Sequence, residues 1–214
     1  MMRKLFLIVF SWVSVLWMLP AQTPSYREAL KLYERGMYGR SRMMFDDMVS
    51  ETERKADPAG YSLLCDIRSN VPGYVNRIDV FLLEYPYSVL IPQVRFYHAL
   101  NLFDADDYAG AAEQFGLIEE KSLYRSQRTE YVFKKAYCEL EKGNLQLASE
   151  GFKSVEAGRF TDYTSPSRYA IGYIEYNLKH FTEAISWFEK SAQDNRFKEL
   201  SDYYIFECRF LLKD

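Results

Sequence analysis

From about residue 24 onward the apolar positions of this chain fall into a recurring frame. A small residue is followed nine positions later by an aromatic or apolar one, three further on by a second small residue, and four beyond that by an aromatic. The frame reads Ala29, Tyr38, Ser41, Phe45; then Ala99, Tyr108, Ala111, Phe115; then Ala136, Leu145, Ala148, Phe152; and then Gly172, Phe181, Ala184, Phe188. A turn signal sits inside each copy: Gly36, Asp106-Asp107, Gly143-Asn144 and Lys179-His180. Each copy therefore predicts helix, turn, helix.

The residue types suit that geometry. Where two antiparallel helices cross closely, Ala, Gly or Ser lets the backbones approach, and the rings fill space farther along the seam. One hairpin leaves an apolar face exposed, and stacking buries it, so such units come in series. A degenerate copy is read at Asp66, Val75, Ile78 and Leu82, and Pro86 and Pro92 bracket the loop that follows it. The hairpins are placed at about 24–50, 58–85, 92–120, 129–157 and 166–194, with a half repeat at 199–214 that sets Phe206 where Gly172 stands. The half repeat stops where a turn and second helix are due, so it is either a lone capping helix or part of a longer array, and the favoured expectation is further repeats or a C-terminal domain beyond it. It carries an apolar surface nearly all round, unlike a polar capping helix.

These spacings, with phrases such as YAGAAEQF and FTEAISWF, resemble the tetratricopeptide repeat, over nearly everything from Pro24 to the end. The resemblance implies an all-α, right-handed superhelical solenoid of antiparallel helix-turn-helix units. The phrase EYPYSVLIPQVRFYHAL looks like the loop between repeats of bacterial envelope members of that family.

The first residues agree with an envelope address. Arg3 and Lys4 precede an apolar run from Leu5 to Leu19, closed by Pro20 and Ala21. That order is the layout of a secretory signal peptide, short for a bilayer span of roughly 20 apolar residues. Residues 1–21 are expected to be cleaved after Ala21, with retention as an N-terminal anchor the alternative, given the bulk of Trp12 and Trp17. Export to the periplasm or envelope, close to a membrane, follows.

Composition narrows the function classes. Hydrophobic residues make up 48% of the chain and Gly and Pro number only 10 and 7, which favours packed helices over a turn-rich sandwich. A net charge of -3 with no basic cluster gives no reason to expect nucleic acid. Cys65, Cys138 and Cys208 are too few and too widely spaced for a disulfide framework or metal site, and read as packing thiols. His98 and His180 have no second histidine at ligand spacing. Adjacent carboxylates such as Asp46-Asp47 and Glu119-Glu120 point about 100° apart on a helix and do not converge. No nucleophile elbow or phosphate loop is present. No enzyme activity or cofactor is expected.

The resemblance puts the first helix of each hairpin on the inner face. Three residues before the small position stand Tyr26, Phe96, Phe133, Tyr169 and Tyr203, and four after it Tyr33, Phe103, Leu140 and Tyr176. Directly after it come Leu30, Leu100, Tyr137 and Tyr173, in place of the Lys and Asn of the family's carboxylate clamp. Tyr26, Tyr33, Phe96, Phe103, Phe133, Tyr137, Tyr169, Tyr173 and Tyr176 are therefore the candidate partner-binding residues, on a stripe that suits a peptide with apolar anchors. The expected function is a non-enzymatic scaffold for protein or peptide partners. The alternatives are a structural subunit of an outer-membrane assembly or secretion complex, and the binding module of a longer protein.

Overall fold

A computed structural model describes residues 24–51 and 55–213. The signal-peptide reading, at residues 1–21, lies outside them. Among the described residues every regular element is helical. The helices pair in chain order as α1 (Pro24–Glu34) with α2 (Tyr38–Glu51), α3 (Ala56–Arg68) with α4 (Tyr74–Glu84), and α5 (Ile91–Asp104) with α6 (Tyr108–Gly116). After a short 3-10 turn come α7 (Arg125–Glu141) with α8 (Leu145–Glu156), α9 (Thr164–Asn177) with α10 (Phe181–Ser191), and α11 (Asn195–Leu212), which packs on α10 and α9. None of these helices is long and apolar enough to cross a membrane.

One backbone device ends each first helix. Gly36, Asn70, Asp106, Gly143, Lys179 and Lys213, each just past a first helix, all have positive φ, and the second unit has one more such residue, Gly73, ahead of α4. In the five hairpins the next amide reaches back to the final turn: Met37 to Leu32, Val71 to Asp66, Asp107 to Leu102, Asn144 to Glu139 and His180 to Glu175, at 2.8–3.0 Å. This left-handed cap satisfies carbonyls that would otherwise lack partners and reverses the chain. Glycine adopts it freely, whereas Asp106 and Lys179 adopt it with a side chain in place.

Counting back seven residues from the left-handed position reaches Ala29, Ala99, Ala136 and Gly172. In the second hairpin the same count reaches Leu63, which corrects the placement of Asp66 at the small position. Pro72 and Gly73 lengthen that turn, and α4 starts only at Tyr74. A search at fixed spacing therefore slides along α3 by most of a helical turn.

The frame residues form the core. Ala29, Ser41, Phe45, Ala99, Ala111, Phe115, Ala148, Phe152, Ala184 and Phe188 are all sealed at 0% exposure, with Ala136 and Gly172 buried beside them. Each buried phenylalanine contributes about 1.5–3 kcal/mol. Ser41 keeps its hydroxyl satisfied by donating to the Ala29 carbonyl at 2.8 Å, so a polar residue fits the closest crossing of α1 and α2. The frame's Tyr38, Tyr108, Leu145 and Phe181 are half-buried at the start of the second helices.

The second hairpin departs from this plan. Asp66, 2% exposed, pairs with Arg42 of α2 at 2.9 Å and with Arg77 of α4. Arg77 also donates to Ser62 at 3.0 Å, and Ser62 donates to Asp46. This polar knot joins α2, α3 and α4, while α4 packs on α3 more sparsely than any other second helix packs on its partner. Val75, Val80 and Leu83 are left exposed on α4.

Candidate functional site

The first helices of three consecutive hairpins enclose a hollow of about 330 Å³. Leu30 and Tyr33 come from α1, Tyr61 and Leu64 from α3, Leu90 precedes α5, Gln93 and Tyr97 lie on α5, and Tyr124 leads into α7. Hollows of this size, apolar with a few placed polar groups, are the usual form of a binding site. A larger hollow of about 660 Å³ lies between α7 and α8, walled by Tyr131, Lys135, Glu139 and Leu147. It draws on a single hairpin and on Ile118 and Glu120 of the connection before it, and lacks the convergence of three repeats.

Sequence position explains how the rings arrive there. Tyr61 and Tyr97 stand two residues before their small position, Leu30 and Leu64 one after. These offsets differ by three and share one helix face. The loop residue Tyr124 is fixed from α7, since its backbone amide donates to the side-chain Oε1 of Gln127 at 3.1 Å. Gln127 and Gln93 exchange two amide hydrogen bonds, at 2.9 and 3.1 Å, across adjacent repeats while buried. Gln127 also donates to the Tyr97 hydroxyl at 3.3 Å. Such a satisfied network holds the back wall rigid.

Arg68 clamps one end. Its guanidinium lies 4.5 Å from the Tyr97 ring centre, 4.9 Å from Tyr38 and 5.4 Å from Tyr33, so a single cation joins three repeats by cation-π contact. Burial works against its charge, but the Tyr33 hydroxyl and the neighbouring Tyr97 and Tyr38 rings outweigh it and raise its pKa. Burial pushes the Tyr33 hydroxyl far above the ordinary tyrosine range, against the pull of Arg68. Tyr61 is raised by burial and then by Tyr124, and Tyr26 is pushed up to about 12 by burial and then by Asp57 and Tyr124. These phenols are neutral donors near neutral pH.

The nine aromatics singled out from the sequence do not form one continuous stripe on the surface. Tyr26 and Tyr33 gather on Tyr61, with ring centres 6.3 and 5.4 Å from it. Phe103 meets Tyr137 at 5.4 Å, and Phe133 meets Phe152 at 5.5 Å. Tyr169, Tyr173 and Tyr176 converge on Tyr204 at 6.1, 5.9 and 5.2 Å. These contacts lie at seams between successive helices. Phe96 is 1% exposed against Phe115 and offers packing rather than a surface, whereas Tyr173 is exposed. Tyr61, Arg68, Tyr97 and Tyr124 were missed. The offset of two before the small position finds Tyr61 and Tyr97, once the second hairpin is registered on Leu63, whereas Arg68, five residues after it, and Tyr124, in the loop before α7, fall outside that signal.

Cys65, Cys138 and Cys208 are buried free thiols. The His98 ring is buried beside the Tyr74 hydroxyl, 3.1 Å from Nδ1, and His180 pairs with Glu175 at 2.8 Å. Among the described residues no group of three or more His, Cys, Asp or Glu side chains is placed to hold a metal ion.

No family profile matches the sequence, and a search of curated proteins finds no match. Solved structures do resemble the fold. The structure of MamA AMB-1 is similar at TM-score 0.60 and 16% identity, over 82% of this chain and 98% of that one. The crystal structure of yeast Tom70 is similar at TM-score 0.56 and 16% identity, over 88% of this chain and 40% of that one. Both are TPR-like helical repeat proteins, and the chain has a TPR-type all-helical repeat fold.

Proposed function

We propose that the chain is a non-enzymatic scaffold that binds a peptide or protein segment along its first-helix face, in the bacterial periplasm or envelope. The hollow shared by α1, α3 and α5 carries the reading. Its wall of Leu30, Leu64 and Leu90 takes one large apolar side chain, and the hydroxyls of Tyr33, Tyr61 and Tyr124 take up the polar backbone on either side of it. The half-buried and exposed rings farther along, Tyr137 and Tyr173 among them, extend the contact over later repeats. The envelope address rests on the leader at residues 1–21.

Selection of a displayed random-peptide library on the full chain tests the binding. Enriched peptides should share one large apolar residue, and Leu30→Trp, which fills the hollow, should weaken them about tenfold, or about 1.4 kcal/mol. Tyr124→Ala, at a side chain 57% exposed, should weaken them without lowering the melting temperature. Peptides indifferent to both changes would rule out the hollow as the site. Fusion of residues 1–40 to a phosphatase active only outside the cytoplasm tests export, and an inactive fusion refutes it.

A further inference from the structure

Helix α11 has two apolar sides. One is used: Ile205 and Cys208 are buried, and Tyr204 stacks on Phe188 with ring centres 5.1 Å apart. On the other side Leu200, Tyr203, Phe206 and Phe210 are 51%, 56%, 68% and 72% exposed. Their spacing sets them in one stripe along the helix.

Phe206 limits how closely a further helix of the array could cover that stripe. It lies seven residues before the left-handed Lys213, the position held by Ala29, Ala99, Ala136 and Gly172. At Gly172 even an added Cβ would stand 2.9 Å from the ring of Phe188 on the following helix. A following helix that crossed α11 as α10 crosses α9 would meet the Phe206 ring. The second hairpin shows the result of a large residue here: Leu63 takes the position and α4 packs sparsely.

The charges say what does fit. Asp202 lies in the first half of α11 and Arg209 in the second half, both exposed and on the same flank of the stripe. Their present partners are surface ones, Lys198 to Asp202 at 3.0 Å and Glu189 to Arg209 at 3.6 Å, and bind weakly. In an antiparallel pair of identical helices each flank faces its own copy reversed. One register, centred next to Phe206, then sets Asp202 opposite Arg209 of the second copy and Tyr203 near Phe210 of the second copy, with the two Phe206 rings meeting near the axis.

We propose that α11 is a self-association face, on which a second copy of this chain docks its own α11 antiparallel about a two-fold axis. Such an interface is self-complementary by symmetry. A single helix pair is at the small end of specific interfaces, so the dimer dissociates in the micromolar range.

Sedimentation velocity of the full chain over a concentration series tests this. Wild type should move from monomer to dimer, and Phe206→Glu should shift the midpoint at least tenfold higher, about 1.4 kcal/mol. Asp202→Arg alone and Arg209→Asp alone should each weaken the dimer, and an equimolar mixture of those two variants should restore it as a heterodimer. A chain monomeric at every concentration overturns the proposal and leaves the stripe to a different partner. Association that Phe206→Glu leaves intact overturns it too, as does a mixture no tighter than either variant alone.

Discussion

Gly172 of α9 lies so close beneath Phe188 of α10 that a Cβ there would stand 2.9 Å from both Cδ1 and Cε1 of the ring. Hydrogen in place of a side chain sets how closely the two helices cross. Gly172→Leu is expected to cost about 1–3 kcal/mol through overpacking, read as a lower midpoint in urea unfolding. An unchanged midpoint would mean that the ring has room to move.

Lys179 takes the left-handed conformation that Gly36 and Gly143 take in their own turns, at φ +64°. Its side chain gains nothing there that offsets the steric cost, so Lys179→Gly is expected to raise stability by about 0.5–1 kcal/mol. Gly143→Ala should lower it by a similar amount. Thermal melts of both variants check the pair of signs.

Burial lowers the pKa of His98 below its ordinary value of 6.5, and Asp79 and Asp107 oppose this only in part. The unfolded chain therefore takes up a proton at a pH where the folded chain does not. Stability is fully present above the unfolded value and falls as pH drops through it toward the folded value. Between about pH 7.5 and about pH 5.5 the melting temperature should fall, and His98→Gln should flatten that slope. Equal slopes in the two proteins would remove His98 as the cause.

Burial also raises the thiols, Cys65 and Cys138 to about 11, and Cys208 in the same direction. A thiol-reactive dye should leave all three unmodified in the native chain and label all three after denaturation. Rapid native labelling of Cys208 alone would show that α11 detaches from α10.

Most of the helical array was legible because four units keep both a small residue and a ring at one spacing, and each residue type has a steric reason to be there. The second unit broke that rule. Asp66 looked like a substituted small residue, whereas it supplies the carbonyl that caps α3 and the carboxylate that ties in Arg42 and Arg77. The two extra turn residues, Pro72 and Gly73, could be recognised only once the left-handed Asn70 was seen in line with Gly36 and Asp106. The same slip hid the hollow, since Tyr61 and Arg68 sit on the misregistered helix. On α5 the choice of Phe96 over its neighbour Tyr97 was one residue out: adjacent helical side chains diverge by about 100°, so one entered the core and the other the hollow.

The polar knot about Asp66 also has a mechanical consequence. Elsewhere the array is held by rings pressed under backbone, contacts that resist sliding along their whole length. At α4 the grip is one ion pair, Arg77 to Asp66, and one hydrogen bond, Arg77 to Ser62, over a sparse apolar contact. Stretched between its ends, the chain should yield first at this hairpin, paying out α4 as slack while the later repeats stay folded, and should yield at lower force as salt rises.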